Sequence, residues 1–451
     1  MDIRSYMSHV PKIDRFLTVD ELHADIAHLA ETYPGIARIR RVGTSRLGEP
    51  LHLLSIGSGP KNAFLFGCPH PNEPIGAMLL HHLSRLLCED TALRDGLGYT
   101  WHLIPCVDPD GTRLNEGWFA GPFTPRNYAR NFFRPASDQQ VEWTFPIAYK
   151  RLFFDRVLPE TLMLMRVIDE LQPTLMVSLH NAGFGGVYYY ISRAAESLYD
   201  MFHQLPTWEE LPLNLGEPET PYMQPLAPAI FRMPTSREGY DYLEANGVDP
   251  TKRASGTSSH DYANKYGTFT LVIEMPYFDD LRINDLSITD TLRRAAILHG
   301  LDLQEEAVTI LRRHFEAVAG DLRGLSPFET SIRGAVEDAG PMREAQRHWA
   351  HESPETNRPA TVAEVFSSNE HTQFYRLLQL GMLVRMLEGE VGIGNATLTI
   401  RQHLVEARQD FAAWSDRLEG SLSCRVIPIR KLVGVQLGAV LAAAEYLDGT
   451  T

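Results

Sequence analysis

Residues 62–87 read NAFLFGCPHPNEPIGAMLLHHLSRLL and hold the strongest indication of the fold. The first nine residues form a compact apolar run that ends at His70, which is typical of a strand buried on both faces. Pro74 then opens a segment whose apolar residues recur at helical spacing, and proline is favoured in the first turn of a helix. This stretch therefore predicts a strand, a short connection and a helix.

Three more apolar runs of the same kind follow along the chain, at Tyr99–Val107, Thr174–His180 and Phe269–Met275. Longer amphipathic segments separate them, so short strands alternate with helices. Strands joined by crossover helices lie parallel to one another in a sheet. The predicted fold class is α/β: a mixed, mostly parallel, doubly wound sheet with helices on both faces.

After about residue 285 the apolar residues recur only at helical spacing, which predicts a C-terminal helical domain. The helical segments are Ser287–Ala319, Gln373–Glu388, Leu398–Leu418 and Lys431–Leu447. The polar, proline-containing stretch Arg347–Thr361 predicts a linker or a long surface loop. We therefore predict a catalytic domain over residues 1–319 and a helical domain over residues 320–451. Three roles stay open for the helical domain: a substrate lid, a homo-oligomer interface, or a cap on the sheet.

Composition narrows the classes of partner. The chain has 451 residues and a formal net charge of −15, which disfavours nucleic acid and anionic membrane surfaces as partners. The four cysteines include no C-x-x-C pair, which favours reduced thiols and a cytoplasmic location. The apolar stretch 432–447 is interrupted by Gln436 and Glu445 and is shorter than the roughly 18 to 20 residues that span a bilayer. We expect no membrane segment.

Two histidines and two glutamates stand at the predicted strand ends. His70 ends the first strand and Glu73 follows it, His180 ends the third strand, and Glu274 lies at the end of the fourth. Because ligands bind beyond the carboxyl ends of the strands in open α/β sheets, we expect these side chains to meet. Catalytic zinc sites use three nitrogen or oxygen ligands and leave a fourth position for water. A His-Glu-His set fits zinc, and the remaining glutamate is a candidate general base.

Several motifs, in this order, resemble the zinc metallocarboxypeptidase family of the carboxypeptidase A and B type. The resemblance covers roughly Val42 to Phe278. Its motifs are VGTSRLGEPLHLLSIG (42–57), FGCPHPNEPIG (66–76), CVDPDG (106–111), RNYARNF (126–132), VSLHN (177–181) and TLVIEMP (270–276). The resemblance implies that His70, Glu73 and His180 bind zinc and that Glu274 is the general base.

The resemblance also implies roles for four basic residues. Arg126 or Arg113 would stabilise the developing oxyanion, with Arg126 favoured, and Arg130 would bind the terminal carboxylate of the substrate. Lys252 falls where the family has a mobile tyrosine, so it is assigned to substrate binding. The sequence departs from the family at Ala129, where an asparagine of the carboxylate clamp is expected.

The function predicted from these features is a zinc-dependent carboxypeptidase-like hydrolase that removes a C-terminal residue from a peptide. Because the clamp is altered, the first alternative is a related zinc amidase or deacylase that acts on an acylated amino acid or a cell-wall-type peptide. The second alternative is a metal-binding pseudoenzyme, which the retained Glu274 disfavours.

Overall fold

The computed structural model describes residues 1–252, 255–337 and 339–449. The strands are β1 (Ala37–Thr44), β2 (Pro50–Ile56), β3 (Lys61–Phe66), β4 (Tyr99–Ile104), β5 (Ile147–Tyr149), β6 (Leu152–Phe154), β7 (Leu175–Phe184), β8 (Tyr188–Ile191), β9 (Gln224–Ala227), β10 (Ile230–Arg232), β11 (Phe269–Asp279), β12 (Ile288–Leu292), β13 (Pro359–Thr361) and β14 (Arg425–Val426).

The helices before residue 270 are α1 (Ile3–Ser8), α2 (Val19–Thr32), α3 (Ile75–Glu89), α4 (Thr91–Gly96), α5 (Pro109–Arg113), α6 (Pro125–Asn131), α7 (Pro159–Leu171), α8 (Glu196–Trp208), α9 (Ser236–Ala245) and α10 (Ser259–Ala263). The later helices are α11 (Arg293–Val318), α12 (Pro327–Glu337), α13 (Ala339–Glu352), α14 (Val362–Phe366), α15 (Thr372–Gly392), α16 (Leu398–Ser421) and α17 (Ile429–Gly449).

The central sheet confirms the predicted α/β class. Its order is β1-β2-β4-β3-β7-β11-β8-β10-β9, and β14 adds to β11. The four central strands β4, β3, β7 and β11 are parallel to one another. Towards the margins, the pairs β1–β2, β2–β4, β11–β8 and β10–β9 are antiparallel, and β8–β10 is parallel. These central strands are the four apolar runs that the sequence predicts. Their carboxyl ends differ from the prediction. β3 stops at Phe66, so that His70 lies in the loop that follows, and β4 stops at Ile104. β7 and β11 continue to Phe184 and Asp279.

Helices cover both faces of the sheet, as predicted. Successive side chains of a strand point to opposite faces, and in the central strands the side chains on both faces are apolar and need to be covered. Ala63 and Leu65 of β3 belong to a core cluster that includes α3 and α17. Phe64 and Phe66 belong to a second cluster that includes α7. The alternation of buried residues explains why the strand reads as a continuous apolar run.

The last helix belongs to the core of the sheet. α17 packs against α3, α8, β7 and β11, and Gln436 donates its side-chain amide to the carbonyl of His180 at 3.0 Å. By length and composition this helix could cross a membrane, but 78% of its most apolar window is buried inside the protein. The proposed boundary at 319/320 lies between α11 and α12, and the division into two domains stays a prediction.

The segment from residue 285 to 361 differs from the sequence-based expectation. α11 begins at Arg293, because Ile288–Leu292 pairs with Pro359–Thr361 in a two-stranded sheet. The predicted linker at Arg347–Thr361 begins as the end of α13 and finishes as β13. These two strands form because they pair with each other across some 70 residues of sequence, and no local sequence pattern predicts such a pairing.

Candidate active site

Four side chains meet towards the carboxyl ends of β3, β7 and β11. His70 and Glu73 lie in the loop after β3. His180 and Glu274 lie inside β7 and β11 and do not end these strands as predicted, because strand pairing continues to Phe184 and Asp279. His180 Nδ1 lies 3.0 Å from Glu73 Oε2 and 3.8 Å from Glu274 Oε1. The rings of His70 and His180 have their centroids 5.0 Å apart. The candidate ligand atoms of His70, Glu73 and His180 all lie within 4.8 Å of one another, and all three residues are buried. The structure therefore brings the predicted metal ligands and the predicted base together.

The donor chemistry of this cluster fits a zinc ion. Nδ1 of His70 is buried and has no hydrogen-bond partner among the described residues. A buried polar nitrogen without a hydrogen-bond partner destabilises the folded protein, and a bound metal ion would supply the missing partner. On the other side of His180, Ser178 Oγ lies 2.9 Å from Nε2, which orients the ring so that Nδ1 faces the carboxylates. Two imidazoles and one carboxylate are a typical set of catalytic zinc ligands.

The electrostatics of the cluster also favour a cation. Burial raises the pKa of Glu274 well above its usual value, and burial likewise lowers the pKa of His70 well below its usual value. Burial by itself would lower the pKa of His180, but the hydrogen bond to Glu73 and the charges of nearby carboxylates raise that pKa to about 9. The carboxyl groups of Glu73, Glu142 and Glu274 thus surround one imidazole, and burial makes the charged forms of Glu142 and Glu274 costly without a cation beside them. A divalent ion would neutralise this charge better than one proton does.

The four residues open into a cavity of about 410 Å³, which is within the usual size range of small-molecule sites. One wall comes from the sheet and its loops, and includes Tyr188, Tyr190 and Glu219. The opposite wall comes from α11, α13 and the α14–α15 junction, whose residues 367–371 form a π-helical turn. These helices belong to the helical region, by which we mean α11 to α17. The helical region therefore closes one side of the cavity.

Two hydrogen bonds hold the α14–α15 junction against the end of β7. His371 Nε2 lies 3.1 Å from the carbonyl oxygen of Phe184, and the hydroxyl of Tyr375 donates to the carbonyl of Ala182. Burial lowers the pKa of His371 to about 4, so the ring is neutral at pH 7 and donates to that carbonyl. The junction is thus fixed to the strand that carries His180.

Two arginines that the sequence analysis did not single out line the cavity. Arg134 donates a hydrogen bond from Nη1 to Glu73 Oε1 at 3.1 Å and one from Nε to Gln140 at 3.1 Å.

Arg376 donates a hydrogen bond from Nη1 to Gln379 at 3.1 Å, while its Nε has no partner within the described part of the chain. Burial lowers the pKa of Arg376 to about 10, so the guanidinium still carries its positive charge at neutral pH. Arg134 lies only four residues after Arg130, so proximity to the motif was a usable signal. Arg376 lies on α15, outside every motif.

The structure does not bring the four predicted basic residues to this cavity. Arg126 pairs with Asp416 and Glu419 of α16, and Arg130 pairs with Glu388 of α15. Arg113 pairs with Asp20 and Glu49. Lys252 is exposed at the end of the 3₁₀ turn Pro250–Lys252. Among the described residues that line the cavity, none of these four is present. The three arginines instead pair with carboxylates outside the cavity, on α15, on α16 and near the N-terminus.

A buried His-Glu-His cluster with a neighbouring glutamate, at the carboxyl edge of a mixed α/β sheet, defines the zinc peptidase class of site. A sequence model of one such family, described as zinc carboxypeptidase (peptidase family M14), matches residues 22–280. This match covers more than half of the chain. The chain belongs to the zinc carboxypeptidase family.

The curated relatives are carboxypeptidases. Carboxypeptidase D of Homo sapiens is 27% identical over 190 residues, which is 39% of this chain and 13% of that protein. Carboxypeptidase E of Caenorhabditis elegans is 30% identical over 110 residues, which is 22% of this chain and 23% of that protein. The chain therefore matches less than a quarter of the length of either relative.

Solved structures of similar proteins include a carboxypeptidase and an amidase. The carboxypeptidase A of Helicoverpa armigera has 13% identity and a TM-score of 0.36, with 75% of each chain covered. The murein-tripeptide amidase MpaA of Escherichia coli O157 has 19% identity and a TM-score of 0.27, with 53% of this chain and 88% of that chain covered.

Proposed function

We propose that this protein is a zinc-dependent carboxypeptidase that releases the C-terminal residue of a short peptide. The observation that carries the proposal is the position of Glu274, 3.8 Å from His180 Nδ1 and beside the buried His-Glu-His cluster. Membership of the zinc carboxypeptidase family supports the same reaction. In this assignment His70, Glu73 and His180 hold the zinc, and Glu274 stays free to exchange protons.

When zinc is bound by these three residues, it supplies Lewis acidity towards the scissile carbonyl and a water of lowered pKa. Glu274 accepts a proton from the attacking water at a carboxylate oxygen and passes it to the leaving nitrogen. Arg134, whose guanidinium already contacts Glu73, donates hydrogen bonds to the oxygen on which negative charge develops. This role replaces the one predicted for Arg126.

Arg376 is our candidate for the group that binds the terminal carboxylate of the substrate. It lines the cavity, it is charged, and its Nε lacks a partner within the described residues. A guanidinium matches a carboxylate in geometry and charge, and the pair gains strength in a site that excludes water. This role replaces the one predicted for Arg130, which Glu388 already neutralises.

The alternative is a zinc amidase or deacylase that acts on an acylated amino acid or a cell-wall-type peptide. The observation that favours it is the wall formed by the helical region, which limits the cavity to about 410 Å³ and leaves less room for a long peptide. Such a substrate would still present a carboxylate to Arg376. The two functions differ in what lies on the other side of the scissile bond.

A substrate screen tests the proposal. Protein stripped with a chelator and then reloaded with zinc is incubated with N-blocked peptides and with N-acyl amino acids, and the products are read by mass spectrometry. We expect the reloaded protein to release single C-terminal residues from peptides, and the stripped protein to be inactive. His70→Ala is the variant control, and it should stay inactive after reloading because it lacks one ligand. Cleavage of acyl amino acids alone would favour the alternative, and hydrolysis by stripped protein would overturn both.

A further inference from the structure

A second group of metal-binding side chains lies in the helical region, outside the active-site cavity. His314 comes from α11, and His403 and Glu406 come from α16. One candidate ligand atom from each residue lies within 4.8 Å of the other two. We propose that these three residues form a second, independent zinc site that links α11 to α16.

The distances between the candidate ligand atoms suit a tetrahedral ion. The two imidazole Nδ1 atoms of His314 and His403 lie 2.9 Å apart, and His403 Nδ1 lies 3.9 Å from Glu406 Oε2. Ligand atoms about 2.1 Å from a tetrahedral zinc are about 3.4 Å from each other. The two observed separations lie on either side of that value. A shift of about half an ångström would bring each of these two separations to that value. All three candidate ligand atoms lie within 4.8 Å of one another.

Helix geometry holds this arrangement in place. His403 and Glu406 are three residues apart on α16, so they lie on the same face of that helix. α11 packs against this helix and contributes His314, which is buried. The side chain of Glu406 is 38% exposed, which leaves a path from solvent and room for a water as fourth ligand.

The hydrogen bonds of His314 direct its Nδ1 lone pair towards the cluster. His314 Nε2 lies 2.8 Å from Asp410 Oδ2, and the same nitrogen lies 2.9 Å from Arg313 Nη2. Only one of these two contacts can be a hydrogen bond, because Nε2 either donates to the carboxylate or accepts from the guanidinium. The charge-assisted bond to the carboxylate is the stronger, so we assign the Nε2 proton to the bond with Asp410. Asp410 also accepts from Arg313 Nη2 at 2.5 Å, which neutralises that guanidinium. A carboxylate behind a histidine is the usual partner of a metal ligand, because it fixes the tautomer and the ring orientation.

Without an ion, the close contact of the two Nδ1 atoms requires a proton between them, donated by His403 to His314. Zinc would replace this proton and add Glu406 to the same centre. The donor set of two nitrogens and one oxygen is the one that zinc prefers, and it differs from the oxygen-only sets of calcium and magnesium.

Zinc content measured on the full chain tests the proposal. Each protein is stripped with a chelator, equilibrated with zinc alone at a buffered free concentration, dialysed, and measured by elemental analysis. We expect two zinc ions per wild-type chain and one per chain in both His403→Gln and Glu406→Gln. His299→Gln removes an exposed histidine of α11 outside the cluster and should retain two.

The variant His70→Ala separates this site from the active site. It should retain one zinc, and the double variant His70→Ala/His403→Gln should retain none. Zinc should raise the melting temperature of His70→Ala but not that of the double variant, because only a folded site binds the ion. Asp410→Asn, which keeps all three ligands, should weaken zinc binding at this site by about tenfold or more.

Two results would overturn the second site: unchanged zinc content in folded His403→Gln and Glu406→Gln, or no zinc in folded His70→Ala. If wild type and His70→Ala both hold one zinc and His403→Gln holds none, the second site stands and the active-site assignment fails. Glu406 is at the surface, so its variant keeps the test valid should His403→Gln fold poorly.

Discussion

His180 and Glu274 are register partners on the adjacent parallel strands β7 and β11. Their side chains leave the sheet side by side, with Nδ1 of the histidine 3.8 Å from a carboxylate oxygen of the glutamate. Glu73 approaches the same nitrogen more closely, at 3.0 Å. Neighbouring strand positions thus hold Glu274, the proposed proton acceptor, beside His180, a candidate metal ligand.

This separation of roles predicts the effect of Glu274→Gln. The amide has the shape of the carboxylate but cannot take the proton of the attacking water, so kcat should fall by at least about 100-fold. Zinc content and melting temperature should stay near wild type. Glu219→Gln, which changes another carboxylate of the cavity wall, should retain activity within a few-fold. Steady-state kinetics and elemental analysis make the comparison, and a Glu274→Gln enzyme with near-normal kcat would rule out Glu274 as the base.

The position of Arg376 predicts a preference for substrates with a free terminal carboxylate. A charge-assisted hydrogen bond is worth roughly 1.5–3 kcal/mol, so amidating the substrate should lower kcat/KM by about tenfold or more. Arg376→Gln should impose a similar loss on the free acid and little further loss on the amide, because both changes delete one interaction.

Arg130→Gln is the matched control for Arg376→Gln, since Arg130 pairs with Glu388 away from the cavity. Its ratio of kcat/KM for acid and amide should equal that of the wild type. The reverse pattern, with selectivity lost in Arg130→Gln and kept in Arg376→Gln, would restore the assignment made from the family resemblance.

The contact between α15 and α6 predicts a stability difference between two glycine variants of one helix. A Cβ at Gly381 would overlap the carbonyl oxygen of Ala129, whereas a Cβ at Gly389 meets no described atom within 4 Å. Gly381→Ala should lower the free energy of unfolding by about 1–3 kcal/mol. Gly389→Ala should raise it by about 0.5–1 kcal/mol, because alanine is the better helix former. Chemical denaturation measures both, and equal effects would mean that the two helices do not pack this closely.

Buried His102 predicts a loss of stability in acid. Burial lowers the pKa of His102 to about 4, whereas an unfolded histidine has a pKa of about 6.5. Between these values the unfolded chain binds the extra proton, so the free energy of unfolding falls as the pH falls from 6.5 to 4. The slope contributed by one such group is at most about 1.4 kcal/mol per pH unit.

The variant His102→Gln retains a donor and an acceptor for Ser55 and Asn62 but does not titrate. Denaturation curves collected from pH 7 to pH 4 should therefore show a shallower decline for the variant than for the wild type. Parallel declines would show that His102 makes no contribution to the pH dependence.

The amino-acid sequence by itself determined the central strands and the cluster of His70, Glu73, His180 and Glu274. Apolar runs reveal buried strands, and the carboxyl ends of parallel strands share one edge of the sheet, so residues near those ends meet wherever the helices lie. The exact ends of β3, β7 and β11 came only from the tertiary structure. Only the tertiary structure decided which arginines face the site. Arg126 and Arg130 have long flexible side chains that pair with the nearest carboxylates, and those carboxylates lie more than 250 residues away on α15 and α16. The same packing of the helical region brings Arg376 to the cavity, because a contact between distant helices depends on how they dock and not on any local pattern.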